Sequence, residues 1–367
     1  MSRNVLIAAV AALVVGIVVG YAMNRPGGGD SAGSGAASGT ATEVVSLKMA
    51  SAFSGSLPVV GDGGPWYAEL VGKLSGGSLQ LRHYDAGKLV PALEVFDSVS
   101  KGAIDTGYSA AGFWLGKVPA ASIFSSIPFG PDTGEYISWM YYGGGQELYQ
   151  ELYAKHNIHV IACGLIAPEA SGWFRQEITS LEQFKGIKIR FYGIGGQVMQ
   201  KLGASVQLLA PGDIYPALER GVIDATELSM PIIDEKLGFG KVAKHYYFPG
   251  WHQMATFAEL LVNQHVWDKL SPQHQQILMT ACHGLTVRNV SYGESIQLDA
   301  IERMKKDGVQ VHYWPNQFLD AFKKTTQQVL DEESAKDPDF KRIYEHLKAY
   351  RANYQQWLKL SRLPAGY

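Results

Sequence analysis

Gly87-Lys88-Leu89-Val90-Pro91-Ala92-Leu93-Glu94, followed by Gly102-Ala103-Ile104-Asp105, returns as Gly212-Asp213-Ile214-Tyr215-Pro216-Ala217-Leu218-Glu219, followed by Gly221-Val222-Ile223-Asp224. Each copy comes after an apolar run, SLQLRHY in the first and SVQLL in the second. Each has proline where a first helical turn tolerates it, and each leads through Gly and Ile-Asp towards another strand. The stretch between Pro-Ala-Leu-Glu and Gly-x-Ile-Asp is six residues longer in the first copy, so the repeat is approximate and chance similarity is the alternative. Read as a repeat, it predicts two like-folded lobes with a cleft between them. Outward from it, VVSLKMA from Val44 and a helix from about Pro65 to Leu74 continue an alternation of strands and helices. That alternation predicts an α/β fold with largely parallel sheets.

The 367 residues exceed what one growing core accommodates, which agrees with two lobes. Lys plus Arg (32) nearly balances Asp plus Glu (34) with no basic block, so a nucleic-acid partner is not expected. Two cysteines, Cys163 and Cys282, are too few for a disulfide framework and lack zinc-site spacing; one bridge or two buried thiols are both open.

Residues 1–26 contain an uncharged apolar run from Val5 to Met23 ended by Asn24-Arg25-Pro26. It reads as an export segment, either cleaved near Gly20-Tyr21-Ala22 or kept as a membrane anchor. Residues 27–43, rich in Gly, Ser, Ala and Thr, read as a flexible tether, which favours the anchor. Both fates place the body in the periplasm. Residues 44–165 are expected to form mainly the first lobe, 166–262 mainly the second, and 263–367 long helices that cross the lobes and end in a helical region. Ser271-Pro272 and Asp337-Pro338 are helix-opening signals. The last helix carries a stripe of Ile343, Leu347, Tyr350, Tyr354 and Trp357 that packs on its own lobe or also on a second subunit.

Nucleophile elbows, phosphate loops, HExxH and EF-hand ladders are missing, and Gly193-Ile194-Gly195-Gly196 lacks the third glycine of a dinucleotide fingerprint, so no nucleotide is expected. Polar groups gather instead in Pro168–Arg175, in the strand around Lys188 and Arg190, at the carboxyl end of Val222-Ile223-Asp224-Ala225-Thr226-Glu227, and in Pro249-Gly250-Trp251-His252-Gln253. Ligands of open α/β sheets sit beyond the carboxyl ends of strands, which makes Glu169, Arg190, Glu227 and Gln253 candidates for one cleft.

The run KGIKIRFYGIGGQVMQKLGASVQLLAPGDIYPALERGVIDATELSMP, with YYFPGWHQ after it, resembles the DctP-type solute-binding subunit of tripartite ATP-independent periplasmic (TRAP) transporters. It is most similar to the branch that binds 2-oxo acids such as pyruvate with a metal ion. The resemblance, from about Val44 to the C-terminus, implies a two-lobed periplasmic-binding-protein fold of the class II-like type, with hinge strands, a long connecting helix and C-terminal helices. It implies capture of a small organic monocarboxylate, a 2-oxo or 2-hydroxy acid, by hinge closure and its delivery to membrane permease subunits, with no catalysis.

Residue by residue, the resemblance makes Arg190 the carboxylate anchor, a role that suits a planar guanidinium. Arg190→Ala is then expected to leave stability nearly intact and to cost roughly 3 kcal/mol of affinity. Glu227, with the carbonyl of Leu228, corresponds to the metal ligands, and Glu169 and Gln253 complete the site for sodium or calcium. Here the branch pattern is departed from, because Glu169 stands where a neutral amide is usual and Gln253 where a second acid is usual. Phe113, Trp114, Trp173, Met230 and Trp251 are candidate apolar walls. The resemblance also implies a homodimer through the C-terminal helices. Two rival readings are an extracytoplasmic enzyme with Glu169 and Glu227 as acid and base, and a tethered sensory or scaffold partner.

Overall fold

A computed structural model describes residues 44–363. The expected export or anchor segment (1–26) and the tether (27–43) lie outside the described residues. Among the described residues eleven strands form two sheets: β1 (Val45–Ser51), β2 (Leu79–Tyr84), β3 (Thr106–Ser109), β4 (Ile158–Ile166), β5 (Gly172–Phe174), β6 (Lys188–Arg190), β7 (Ser205–Gln207), β8 (Ala225–Thr226), β9 (His245–Phe248), β10 (Thr256–Asn263) and β11 (Gln310–Tyr313). The first sheet has the order β2-β1-β3-β10-β4 and the second β11-β9-β5-β8-β6-β7.

The repeat read from the sequence is a repeat of topology. In the first lobe β1, helix Gly63–Leu74, β2, helix Val95–Ser100 and β3 make the order 2-1-3 with parallel pairing. In the second lobe β6, helix Gly193–Lys201, β7, helix Pro211–Glu219 and β8 make the same arrangement. The two aspartates of the repeat do the same work. Asp105 Oδ2 accepts from Lys48 N on β1 at 2.8 Å, and Asp224 Oδ2 accepts from Lys188 N on β6 at 3.0 Å. The prolines differ, since Pro91 precedes a 3-10 turn while Pro211 opens the second helix and Pro216 lies inside it.

The sheets are mixed rather than largely parallel, and the reason is the connection between lobes. The chain leaves the first sheet along β4, enters the second along β5, and returns from β9 to β10. Outgoing and returning segments run side by side, so β10 is antiparallel to β4 and to β3, and β5 is antiparallel to β9 and to β8. Strand β10 therefore belongs to the first sheet although all but its last residue falls in 166–262, and β11 joins the second from the C-terminal region.

Helix Pro272–Ser295 opens as expected, with Ser271 accepting from His274 N. It packs along β4, where Cys282 is bonded to Cys163, with Tyr67 donating to the Leu278 carbonyl at 3.0 Å. In the chain-entropy picture a bridge closing a 119-residue separation is worth on the order of 4–5 kcal/mol. The far end of this helix reaches Met230 of the second lobe at Gly293, and helix Gln297–Lys306 continues onto helix Pro231–Leu237. Helix Asn316–Lys336 lies on the second lobe and helix Pro338–Ser361 folds back to the first, where Arg351 holds the carbonyls of Phe129 and Gly130. Within the final stripe Ile343 and Leu347 are buried on the chain itself, whereas Trp357 is 60% exposed.

Candidate functional site

Two features bring the polar segments together. The outgoing and returning hinge segments touch, since Gly250 N donates to the Glu169 carbonyl at 3.0 Å and Glu169 N to the Gln253 carbonyl at 3.4 Å. Only glycine permits this approach, because a Cβ on Gly250 would lie 2.3 Å from the Glu169 carbonyl oxygen. The parallel pairing of β6 with β8 then sets Arg190 beside Thr226 and brings Glu227, the next residue, to the same sheet end.

Glu227 and Arg190 form an ion pair in which both side chains are essentially inaccessible (0% and 1% exposed). Arg190 Nη1 donates to Glu227 Oε1 at 2.9 Å and to the Glu227 carbonyl at 2.6 Å, and Nε donates to the Leu209 carbonyl at 3.3 Å. Tyr192 N adds a second donor to Glu227 Oε1, at 2.5 Å. Burial works to raise the Glu227 pKa, but Arg190 and His252 outweigh it, so the carboxyl is held below its ordinary value and is ionised. Glu169 has the opposite fate. Its neighbours are Ser229, 3.2 Å away, and two further acids, so burial first, then Glu227 and Asp234, push it well above the carboxylate range.

Beside the ion pair lies a cavity of about 40 Å³. Glu169, Arg190, Tyr192, Leu228, Ser229 and Gln253 line it from the second lobe and the hinge. Phe53, Leu57, Val60, Ala110 and Phe113 line it from the first. Among the described residues Glu169 Oε2, Glu227 Oε2, Gln253 Oε1 and both ring nitrogens of His252 have no hydrogen-bond partner. One ligand atom each from Glu169, Glu227 and His252 lie within 4.8 Å of one another. That spacing matches donors on opposite sides of a calcium ion at about 2.4 Å each. A hard cation takes oxygen in preference to imidazole nitrogen, so the carboxylates of Glu169 and Glu227 suit it better than His252, and the unpartnered amide oxygen of Gln253 is a further oxygen donor at the cavity.

Of the residues singled out from sequence, Arg190, Glu169, Glu227, Leu228, Gln253 and Phe113 come together here. Trp114 and Trp173 do not line the cavity, because each indole is spent inside its own lobe. Trp114 Nε1 donates to Glu259 Oε1 at 2.7 Å, and Trp173 Nε1 to Asp234 Oδ2 at 2.9 Å. Met230 packs on Gly293 of the connecting helix, and Trp251 stacks on Phe322 at 4.6 Å. Arg190 also differs from the free fork that the sequence implied, since Nη1 and Nε are already engaged. Nη2 is the guanidinium nitrogen left without a partner among the described residues. Tyr192 and His252 were not singled out from sequence. His252 carries the one signal available, its place directly before Gln253; the turn closed by Gln253 N and the Gly250 carbonyl brings it to within 3.4 Å of Glu227 Oε2.

Residues 58–337 match the family model described as bacterial extracellular solute-binding protein, family 7. The chain is 35% identical over 296 residues to a monocarboxylate 2-oxoacid-binding periplasmic protein of Nostoc sp., covering 81% of each chain. It is similar to a TRAP transporter solute-binding protein of Bordetella bronchiseptica solved as a mixed-occupancy dimer with copurified calcium and picolinate, at a TM-score of 0.85 and 34% identity over 87% of this chain and 95% of that one. A second such structure, from Colwellia psychrerythraea with calcium and pyruvate, gives a TM-score of 0.83 and 34% identity over 87% and 98%. A third, from Pseudoalteromonas atlantica with sodium and pyruvate, gives 0.82 and 32% over 87% and 97%.

Proposed function

The chain belongs to the bacterial extracellular solute-binding proteins of family 7, which are receptors and not enzymes, and from that premise we propose that its cavity takes a small 2-oxo or 2-hydroxy monocarboxylate and delivers it to the permease subunits of a TRAP transporter. The observation that carries this reading is the buried ion pair of Arg190 and Glu227 set beside the unpartnered oxygens of Glu169, Glu227 and Gln253. An anion needs positive charge, and Arg190 is already balanced by Glu227. Bound there with the carbonyl of Leu228, sodium or calcium would supply that charge and accept the ligand's carboxylate and 2-oxygen.

The chain's own residues do the rest. Nη2 of Arg190 is offered to the ligand carboxylate, and Phe53, Leu57 and Phe113 cover the methyl end. Closure about the hinge at Glu169 and Gly250 removes water and so strengthens each charge pairing. The Nostoc relative binds monocarboxylate 2-oxoacids and two of the similar structures hold pyruvate, which supports the same class here. Mass spectrometry of the acid released on denaturation identifies the ligand. Calorimetry with pyruvate at constant pH should show weaker binding in chelated, sodium-free buffer, restored by calcium. Full affinity there, fading as pH rises, would mean instead that a protonated Glu169 serves the anion.

We also infer a periplasmic location, with residues 5–23 as cleaved signal or inner-membrane tether, and a homodimer through the last helix. The exposure of Trp357, Leu360 and Leu363 beyond the buried part of the stripe supports the dimer. Light scattering on residues 43–367 tests it, and the mass of one chain would count against it.

A further inference from the structure

Tyr192 joins the charged site to the opposite lobe. It lies between β6 and helix Gly193–Lys201 and is 5% exposed. Its backbone N–H is bonded to Glu227, while its side chain crosses the cavity. There the hydroxyl accepts from Gly112 N at 2.7 Å and meets Ser125 Oγ at 2.7 Å. Ser125 Oγ donates to the Phe257 carbonyl at 3.3 Å, so it is free to accept from the tyrosine and the phenol is satisfied both ways. The ring sits edge-on to Phe113 with centroids 5.1 Å apart. Gly112, Phe113 and Ser125 all belong to the segment that follows β3 in the first lobe.

The seat is shaped for this contact. A Cβ on Gly112 would lie 2.3 Å from Tyr192 Cζ, 2.5 Å from Cε1 and 2.6 Å from the hydroxyl, and these are its three nearest atoms. Gly112 is not among the glycines with positive φ, so its backbone gives an alanine no conformational penalty. What an alanine meets there is the other lobe. A glycine without need of its flexibility, a hydroxyl satisfied across the cleft and a backbone N–H on the ligand-site carboxylate converge on one residue.

We propose that Tyr192 is the latch of the cleft, seated on Gly112 and Ser125 when the lobes close and coupled to the ligand through Glu227. The inference rests on the reading of the protein as a receptor that closes over its ligand. As a positioning residue Tyr192 acts on the equilibrium between open and closed forms, and Gly112→Ala blocks that equilibrium without touching the charged groups.

The test combines small-angle scattering, as purified and with pyruvate plus calcium chloride, with calorimetry on the full chain. Gly112→Ala should keep the wild-type melting temperature without ligand, lose the compaction seen in wild type, and bind pyruvate about a hundredfold more weakly. Gly112→Ala with Tyr192→Ala removes the clash together with the latch, so it should regain compaction only at saturating pyruvate and calcium while binding more weakly than wild type, a partial rescue that a merely structural role for Gly112 would not give. Tyr192→Phe, which keeps the ring, should weaken binding about tenfold. Equal compaction and affinity in wild type and Gly112→Ala would overturn the latch. Should wild type bind neither pyruvate nor another short 2-oxo acid, the receptor reading fails, and the latch is judged on the purified state alone, where equal radii in wild type and Gly112→Ala overturn it.

Discussion

The two lobes share one topology and each has an aspartate in the equivalent role, yet they meet the cavity with opposite chemistry. Counted from the equivalent lysines Lys48 and Lys188, the central strand carries Ala50 in the first lobe where the second has Arg190. Counted from Asp105 and Asp224, the next strand carries Tyr108 where the second lobe has Glu227. The first lobe is not free of buried acid, but it places Glu259 away from the cavity, inside a cage of Trp114 and the hydroxyls of Tyr149 and Tyr153. With neutral donors around it, burial pushes Glu259 up to about 7, whereas the cation beside Glu227 holds that carboxyl down. A duplicated scaffold thus supplies a gripping lobe and a covering lobe, and the charge stays on one side of the hinge.

The sharpest way to break this contrast is Arg190→Ala. The sequence alone predicted little effect on stability, but the substitution strands Glu227 as a buried, unpaired charge, a change that costs about 3–5 kcal/mol. Chemical denaturation should show that loss together with abolished pyruvate binding, and Arg190→Ala with Glu227→Gln should recover stability without recovering affinity. An unchanged denaturation midpoint in the single variant would mean that the pair is not the core of the second lobe.

Glu259→Gln probes the covering lobe. The folded pKa, about 7, lies above the ordinary 4.5, so the native state holds this proton more tightly than the unfolded chain does. The resulting stability is present below about pH 4.5 and lost as pH rises through 7, on the order of 3 kcal/mol. Denaturation of wild type across that window should show the fall, and the variant a flatter profile. Asp234, raised to about 8 by burial, leaves a residual slope of the same sign. A slope unaltered by Glu259→Gln would place the titration elsewhere.

The smallest effect is expected where the lobes meet. Glu169 and Gln253 face each other on adjacent hinge segments, so exchanging them as Glu169→Gln with Gln253→Glu conserves the charge around the cavity. Pyruvate affinity should stay within about tenfold of wild type, while each single change, altering the net charge by one, should lose more.

Much of this contrast was legible in the chain. Gly-x-Ile-Asp written twice marked the repeat because both aspartates accept from the equivalent lysine N–H of the neighbouring strand, and Arg190 and Glu227 stood out because polar residues gather at strand ends of the second lobe. The antiparallel strands were not legible, since no local pattern tells β4 and β10 that they are lobe crossings. Trp114 and Trp173 were misplaced because an indole suits a cavity wall and a buried carboxylate equally well. Tyr192 was hidden for a different reason. Its partners Gly112 and Ser125 lie 80 and 67 residues away, and nothing in a tyrosine flanked by Phe191 and Gly193 announces them.

Keeping the charge on the gripping lobe fixes how the cargo would be unloaded. When the covering lobe swings away, Arg190, Glu227 and the hinge groups keep their places, but water enters beside them. Two unit charges 4 Å apart attract by about 4 kcal/mol at an effective dielectric of 20 and by about 1 kcal/mol in bulk water. Opening alone therefore removes about 3 kcal/mol from such a contact, and dissociation quickens roughly a hundredfold. A permease that merely props the lobes apart would empty the receptor, with no need to pull the anion out or to break the ion pair that holds the second lobe together.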